Sequence, residues 1–331
     1  MQTPPLSVVM PVFNALPYLD EAVECILRQS FADFEFVILD DGSTDGSRAR
    51  LREWAARDPR IRLVGSDERL GPVGSSNRVA AEAKAPLVAR MDADDLCTSD
   101  RLERQMNILA AHPDAVLVGS IYETVDRHGR VVREADYARL TRPSLFAPFS
   151  HPTIMYRRDA FERAGGYRAG AERWEDVDLY LRLAREGRML VVAAPLVSIR
   201  LSGASSRIAD RPDEVEASMD RLYRRLAEEA GTPRRDVQGK LVPESFLVGG
   251  SIRIWAGERP RSFARLLRRG ALGFDLASLR MLVWSGWAEA SPRSLRLFLR
   301  ALLALRNRAA LRRLGGARYV EWRPPLAGRS A

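Results

Sequence analysis

Along residues 6–111, short apolar runs alternate with stretches whose apolar residues recur at helical spacing. Leu6 to Val12, Phe34 to Leu39, Ile61 to Val64 and Leu87 to Met91 read as buried strands. Tyr18 to Gln29, Ser47 to Ala56, Val73 to Ala83 and Arg101 to Ala111 read as helices. Strands separated by helices pair in parallel, so the pattern predicts an α/β unit with a mostly parallel sheet and helices on both faces. Sheets of this kind hold ligands outside the carboxyl ends of their strands.

Two of these strands run directly into acidic clusters. Phe36-Val37-Ile38-Leu39 leads into Asp40-Asp41-Gly42-Ser43-Thr44-Asp45, and Leu87-Val88-Ala89-Arg90-Met91 into Asp92-Ala93-Asp94-Asp95. In a parallel sheet both clusters leave the same edge. Carboxylates gathered there repel unless a cation or donor hydrogens offset them, and oxygen ligands suit hard ions such as Mg²⁺ or Mn²⁺. Each cluster also has a plain structural use, because Asp-Gly and Ser-Thr-Asp are good turn and helix-cap chemistry.

After residue 115 the alternation changes. Val116 to Val118, Ile121 to Val125, Thr153 to Tyr156 and Met189 to Val192 read as strands, and Glu175 to Arg185 as a helix. Asp126-Arg127-His128-Gly129 before Val131-Val132 marks a hairpin. Beyond about residue 205 the patterns are mainly helical. Gly203, Ser205, Ser206, Asp210 and Pro212 place a boundary near residues 203–213, giving a domain of residues 1–205 and a basic, mainly helical region of 206–331.

Several classes drop out. No G-x-G-x-x-G follows either of the first two strands and no G-x-x-x-x-G-K-S/T occurs, against dinucleotide and Walker-type loops. Two cysteines, Cys25 and Cys97, and three scattered histidines make neither a disulfide framework nor a zinc pattern. The two thiols read as small buried groups in a reduced, cytosolic protein. The N-terminal residues carry no signal-peptide pattern, and no apolar run reaches the length of a membrane span. Net charge is −3 over residues 1–200 and +12 over 201–331. A nucleic-acid binder would interleave stacking aromatics with its arginines, and residues 291–318 hold only Phe298, so nucleic acid is not an expected partner.

These residues resemble family 2 glycosyltransferases. Ser7-Val8-Val9-Met10-Pro11-Val12-Phe13-Asn14 followed by Leu39-Asp40-Asp41-Gly42-Ser43-Thr44-Asp45-Gly46-Ser47 is similar to the family's opening, and Ala89-Arg90-Met91-Asp92-Ala93-Asp94-Asp95 to its D-x-D motif. His151-Pro152-Thr153-Ile154-Met155-Tyr156, Gly165-Gly166-Tyr167 and Trp174-Glu175-Asp176-Val177-Asp178-Leu179 are similar to its later segments. The resemblance spans about residues 6–202. It implies a glycosyltransferase-A fold, a nucleotide-diphosphate sugar donor with a UDP-sugar expected first, a divalent metal (Mn²⁺ or Mg²⁺), and inversion at the anomeric carbon. It assigns Pro11, Phe13 and Asn14 to the nucleotide pocket and Asp40 or Asp41 to the base. Asp92 falls near the ribose or donor sugar, Asp94 at the metal, and Asp176 as general base. His151, Trp174 and Glu175 fall on the diphosphate or acceptor side, and Arg90 offsets Asp92 or a phosphate. One position departs from the family, which often has a metal-side histidine where this chain has Ser202.

The expected setting is surface-polysaccharide or lipopolysaccharide assembly in the cytoplasm, peripheral on the inner face of the membrane, with a glycan or lipid-linked glycan acceptor. Residues 291–331 hold ten arginines and one acid, Glu321, with Leu295, Phe298, Leu299, Leu302 and Leu305 at helical spacing. Such a segment either rests on an anionic membrane surface or packs with a solvated basic face. Two rival readings are a sugar-phosphate nucleotidyltransferase, which would need a glycine-rich loop after the first strand, and a non-catalytic membrane-surface scaffold of the same fold.

Overall fold

The computed structural model describes residues 3–66, 68–141, 147–201, 304 and 307–322. Its elements run in chain order as β1 (Leu6–Val12), α1 (Leu16–Leu27), β2 (Phe34–Asp41), α2 (Ser47–Arg57), β3 (Ile61–Ser66), α3 (Gly71–Ala81), β4 (Leu87–Arg90), β5 (Leu96–Cys97) and α4 (Arg101–Ala111). They continue as β6 (Ala115–Val125), β7 (Val131–Arg133), β8 (Met155–Arg157), α5 (Arg158–Arg163), α6 (Glu175–Glu186), β9 (Arg188–Arg200) and β10 (Tyr319–Trp322), with 3₁₀ turns at Tyr137–Thr141 and His151–Thr153. The chain groups into two compact units, residues 1–204 with 309–331, and residues 205–308. The first unit carries the sheet.

The sheet order is β10-β9-β6-β8-β4-β1-β2-β3, with β5 on β9 and β7 on β6. β1 to β4 are mutually parallel where they pair, while β8 runs antiparallel between β4 and β6. The chain passes from β1 outward to β2 and β3, then returns to β4 on the other side of β1. That reversal opens a crevice beside the carboxyl end of β1.

Burial on both sides explains why β1 and β2 read as unbroken apolar runs. Leu6, Val8, Met10 and Val12 pack with Phe34, Phe36 and Ile38 against Leu19, Ala22, Val23 and Ile26 of α1, Leu51 of α2, and Leu102 and Leu109 of α4. Val9, Val37 and Leu39 alternate with them and face the other way. There α3 packs on β1 and β2 and buries Val73, Val79 and Ala80. Each fully buried Leu, Ile or Phe contributes about 1.5–3 kcal/mol, so these strands need no polar pattern to hold their place.

The expected α/β sheet is therefore present, with differences in detail. The two short runs before and after residue 119 form one strand, β6, whose pairing with β9 shifts register around Ser120 and Ile121. Gly119 is needed there because a Cβ would come within 2.5 Å of Phe149 Cγ. β9 extends through Ala193, Ala194 and Pro195, which had masked its length. The hairpin forms as expected, with Gly129 at φ +74°. β10 comes from the C-terminal tail, beyond the boundary read near residues 203–213, and pairs antiparallel with Met189 to Val192. Ser202 and the apolar positions Leu295, Phe298, Leu299, Leu302 and Leu305 of the basic segment lie outside the described residues. Among the described residues no helix is long and apolar enough to cross a membrane.

Candidate active site

The crevice is built from the ends of β1, β2 and β4. Val12 lies level with Asp40, and Val9 level with Arg90, so both acidic clusters emerge on the two sides of the Pro11–Asn14 turn. That turn is tied to the Asp-Gly-Ser-Thr-Asp loop from both directions. Asn14 Oδ1 accepts from the Thr44 amide at 2.8 Å, and the Asn14 amide donates to Ser43 Oγ at 3.0 Å. The amides of Ala15 and Leu16 donate to Ser47 Oγ and Asp45 Oδ2. Gly42 and Gly46 supply the left-handed backbone that this fold-back requires, at φ +76° and +99°. The bonds to Ser47 and to the Leu16 amide offset the cost of burial and hold the Asp45 carboxyl below its usual range.

The two neighbouring aspartates at the end of β2 take different partners. Buried Asp40 accepts the Arg48 guanidinium, whose Nη2 continues to the Ser66 carbonyl at 2.7 Å. Asp41 accepts the amides of Leu70 at 2.6 Å and Gly71 at 3.0 Å, and so caps the start of α3. The chain before that cap brings Arg69 Cζ to 3.7 Å from the centroid of the Phe13 ring, which is 37% exposed. Phe13 and Arg69 thus form a stacked platform at the mouth of the crevice.

On the β4 side, buried Arg90 reaches Asp92 Oδ1 at 3.0 Å through Nη2 and Ser76 Oγ at 3.1 Å through Nη1. Burial works against the Arg90 cation, but Asp92 and then Tyr167 outweigh it and raise its pKa. Asp92 stays partly exposed. Asp94 and Asp95 are held from β9. Arg200 donates its amide to Asp95 Oδ1 at 2.8 Å and its Nε to the Asp94 carbonyl at 2.9 Å. Burial, and after it the charges of Asp94 and Asp92, push the Asp95 carboxyl well above the usual range.

Tyr167 is the hub on the remaining side. Its hydroxyl lies 2.6 Å from His151 Nε2, and its backbone is clamped by Asn77, which accepts from the Tyr167 amide and donates to its carbonyl. Burial pushes its phenol up, and the charges acting on it are Arg90, Asp92, Glu175 and Asp176. Trp174 is buried at the head of α6, where Glu175, Asp176 and Asp178 fill the first turn. Asp176 is buried, and its Oδ1 accepts the Val177 amide at 2.8 Å. Asp178 serves the core instead, paired with Arg182 at 2.6 Å. A carboxylate at a helix N-terminus is favoured by the helix dipole.

Residues 7–165 match the model of glycosyl transferase family 2. EpsE of Bacillus subtilis (strain 168), a protein named as a glycosyltransferase, is 36% identical over 191 residues, covering 56% of this chain and 68% of EpsE. The O-antigen biosynthesis glycosyltransferase WbnJ of Escherichia coli is 29% identical over 187 residues, 55% of this chain and 72% of WbnJ. Among solved structures, mannosyltransferase PcManGT from Pyrobaculum calidifontis, in complex with GDP-Man and Mn²⁺, superposes with a TM-score of 0.59 at 21% identity, over 93% of this chain and 88% of that one. TarS 1-349 of S. aureus in complex with UDP-GlcNAc gives 0.58 at 15% identity, over 94% and 92%. These likenesses show the glycosyltransferase-A fold. With a crevice at the strand switch lined by both acidic clusters, the chain belongs to glycosyl transferase family 2.

Proposed function

We propose that this glycosyltransferase moves a sugar from a nucleotide-diphosphate donor to a hydroxyl of a glycan or lipid-linked glycan, with inversion, in surface-polysaccharide assembly at the cytoplasmic face of a membrane. The observation that carries the reading is the emergence of Asp40 and Asp41 at the end of β2 and of Asp92 and Asp94 just beyond β4, on the two sides of the end of β1, in a chain of glycosyl transferase family 2.

The donor half comes first. Pro11, Phe13 and Asn14 shape the nucleotide pocket, with Arg69 stacked on Phe13 as its second wall. Asp40 or Asp41 meets the base, the first held by the Arg48 guanidinium and the second by two backbone amides. Among the described residues no three His, Cys, Asp or Glu groups converge as a ready metal cage. That donor set still fits Mg²⁺ or Mn²⁺, because Mg²⁺ sites commonly use one or two carboxylates plus substrate phosphates and water. Asp94 would hold the ion, with Asp92 sharing its charge with Arg90. A bound ion supplies positive charge beside the diphosphate as it leaves.

The acceptor half lies at the head of α6. Asp176 takes the proton of the acceptor hydroxyl as the new bond forms. Trp174 and Glu175 flank it, and His151, fixed by Tyr167, stands toward the diphosphate. Because Arg90 neutralises part of the charge on Asp92, the crevice can accept a dianionic diphosphate with less repulsion.

A thermal-shift series tests the reading, using UDP- and GDP-sugars with and without Mn²⁺. A true donor at a hundredfold excess over its Kd stabilises the fold by about 2.7 kcal/mol, and Asp94→Asn should lose the Mn²⁺-dependent part. Failure of every nucleotide sugar to shift the transition would overturn it.

A further inference from the structure

The two cysteines of this chain, 72 residues apart in sequence, meet in space. Cys25 Sγ on α1 and Cys97 Sγ on β5 lie 3.3 Å apart, and both residues are half-buried. Cys97 is the better supplied with donors. Gln29 Nε2 reaches its sulfur at 3.4 Å while also bonding the Cys25 and Thr98 carbonyls. Arg101, on the first turn of α4, adds a positive charge that favours the Cys97 thiolate.

Arg101 is itself unusual. It is wholly buried, and its guanidinium donates to neutral groups: Gln105 Oε1, Met91 Sδ, and the Arg90 and Ile154 carbonyls. A buried cation is costly without a countercharge, and a Cys97 thiolate would supply one. We propose that Cys97 is a hydroperoxide-reactive thiol and Cys25 its resolving partner, so that the pair is a reversible oxidation site joining α1 to β5.

Charge and hydrogen bonding run in the same direction as the geometry. The hydrogen bond shared with Cys25, and then the Arg101 charge, outweigh burial and hold the Cys97 thiol below its ordinary range. The same bond and burial push the Cys25 thiol well above it. Thiolate, not thiol, is the nucleophile. In the first step the Cys97 thiolate attacks one peroxide oxygen and the O–O bond breaks. With one proton taken up, Cys97 becomes a sulfenic acid and the hydroperoxide becomes an alcohol, or water when it is H₂O₂. The sulfur loses two electrons and the O–O bond gains them. In the second, the Cys25 sulfur attacks the sulfenic sulfur, the S–S bond forms, and the hydroxyl leaves with the Cys25 proton as water. A transient disulfide of this kind is compatible with a reducing compartment, where it serves as a sensor.

The test uses the reduced full-length protein and H₂O₂. Peptide mapping of the wild type should find the Cys25 and Cys97 peptides joined, with the chain lighter by two hydrogens and monomeric on a non-reducing gel. Dithiothreitol should reverse the change. Cys25→Ser should stop at a dimedone-labelled sulfenic acid on Cys97, and Cys97→Ser should leave Cys25 unlabelled. Free thiols at both positions after peroxide, a disulfide only between chains, or faster labelling of Cys25 than of Cys97 would each overturn the proposal. The wild-type map decides the matter even where a serine variant folds poorly. It needs no sugar donor, so its failure is separate from failure of the proposed transfer activity.

Discussion

Arg200 Nη2 lies 2.6 Å from Glu21 Oε2, joining the last residue of β9 to the first helix. The same guanidinium stacks on Tyr18 at 4.8 Å and donates to the Asp94 and Arg127 carbonyls. Its side chain is fully buried, whereas that of Glu21 is 59% exposed. The carbonyl bonds therefore matter more than the ion pair. Arg200→Met should lower stability by on the order of 3 kcal/mol by leaving those carbonyls unpartnered, and should impair donor turnover by loosening Asp94. Glu21→Gln should cost less than about 1 kcal/mol. Urea unfolding of both variants checks the ranking, and equal losses would mean that the ion pair dominates.

Asp176→Asn separates a general base from a helix-start residue. Asparagine still accepts the Val177 amide and keeps the size of the side chain, but it cannot take a proton. Donor binding should stay near normal while transfer falls roughly 10²–10⁴-fold. Donor titration and single-turnover transfer on the same variant make the comparison. Near-normal transfer would place the base elsewhere.

Asp58 gives a pH-dependent contribution far from the chemistry. It accepts Arg60 Nη2 at 2.8 Å and Nε at 3.0 Å, with the Arg60 amide as a third donor. These bonds, led by the guanidinium, hold its carboxyl below the usual range. Because the folded value is depressed, the stabilisation is full above the unfolded value of about 3.9 and is lost as pH falls through the folded one. Asp58→Asn should cost about 1 kcal/mol at neutral pH, allowing for partial solvent screening. The gap to wild type should close in acid, which unfolding curves across that range would show.

Gly187 joins α6 to β9 with extended backbone, so its requirement is space. A Cβ there would come within 2.6 Å of Val116 Cγ1 and 2.8 Å of the Asp114 carbonyl oxygen. The second contact is backbone and cannot rotate away. Gly187→Ala should destabilise by about 1–3 kcal/mol and displace the helix that carries Asp176. A transition temperature equal to wild type would contradict the packing described here.

The long elements were legible because burial on two faces writes itself as an uninterrupted apolar run, as in β1 and β2, and because a strand that ends in aspartate declares where it stops. The short ones were not. β5 has two residues and β10 four, and their pairing comes from β9 rather than from any local preference. Tyr167 stood in a recognised Gly-Gly-Tyr segment, but nothing local says that its hydroxyl meets His151 or that Asn77 clamps its backbone. Arg69, Arg101 and Arg200 were hidden by number. In a chain with 52 basic residues, almost all arginine, one buried guanidinium looks like any surface one until its partners are known. The meeting of Cys25 and Cys97 depends on α1 lying beside β5, which no spacing rule contains.

The origin of β10 sets an order on synthesis. β9 ends at Arg200 and β10 begins at Tyr319. At a translation rate of roughly 5–20 residues per second, the final strand follows its partner by about 6–24 s. Through that interval the stretch Met189–Val192 presents unpaired amides and carbonyls beside apolar side chains, a template for any extended peptide nearby. The nascent enzyme is thus most vulnerable to edge-to-edge association after its crevice has been made, and a chaperone that shields this edge would matter more to yield than one acting on the earlier strands.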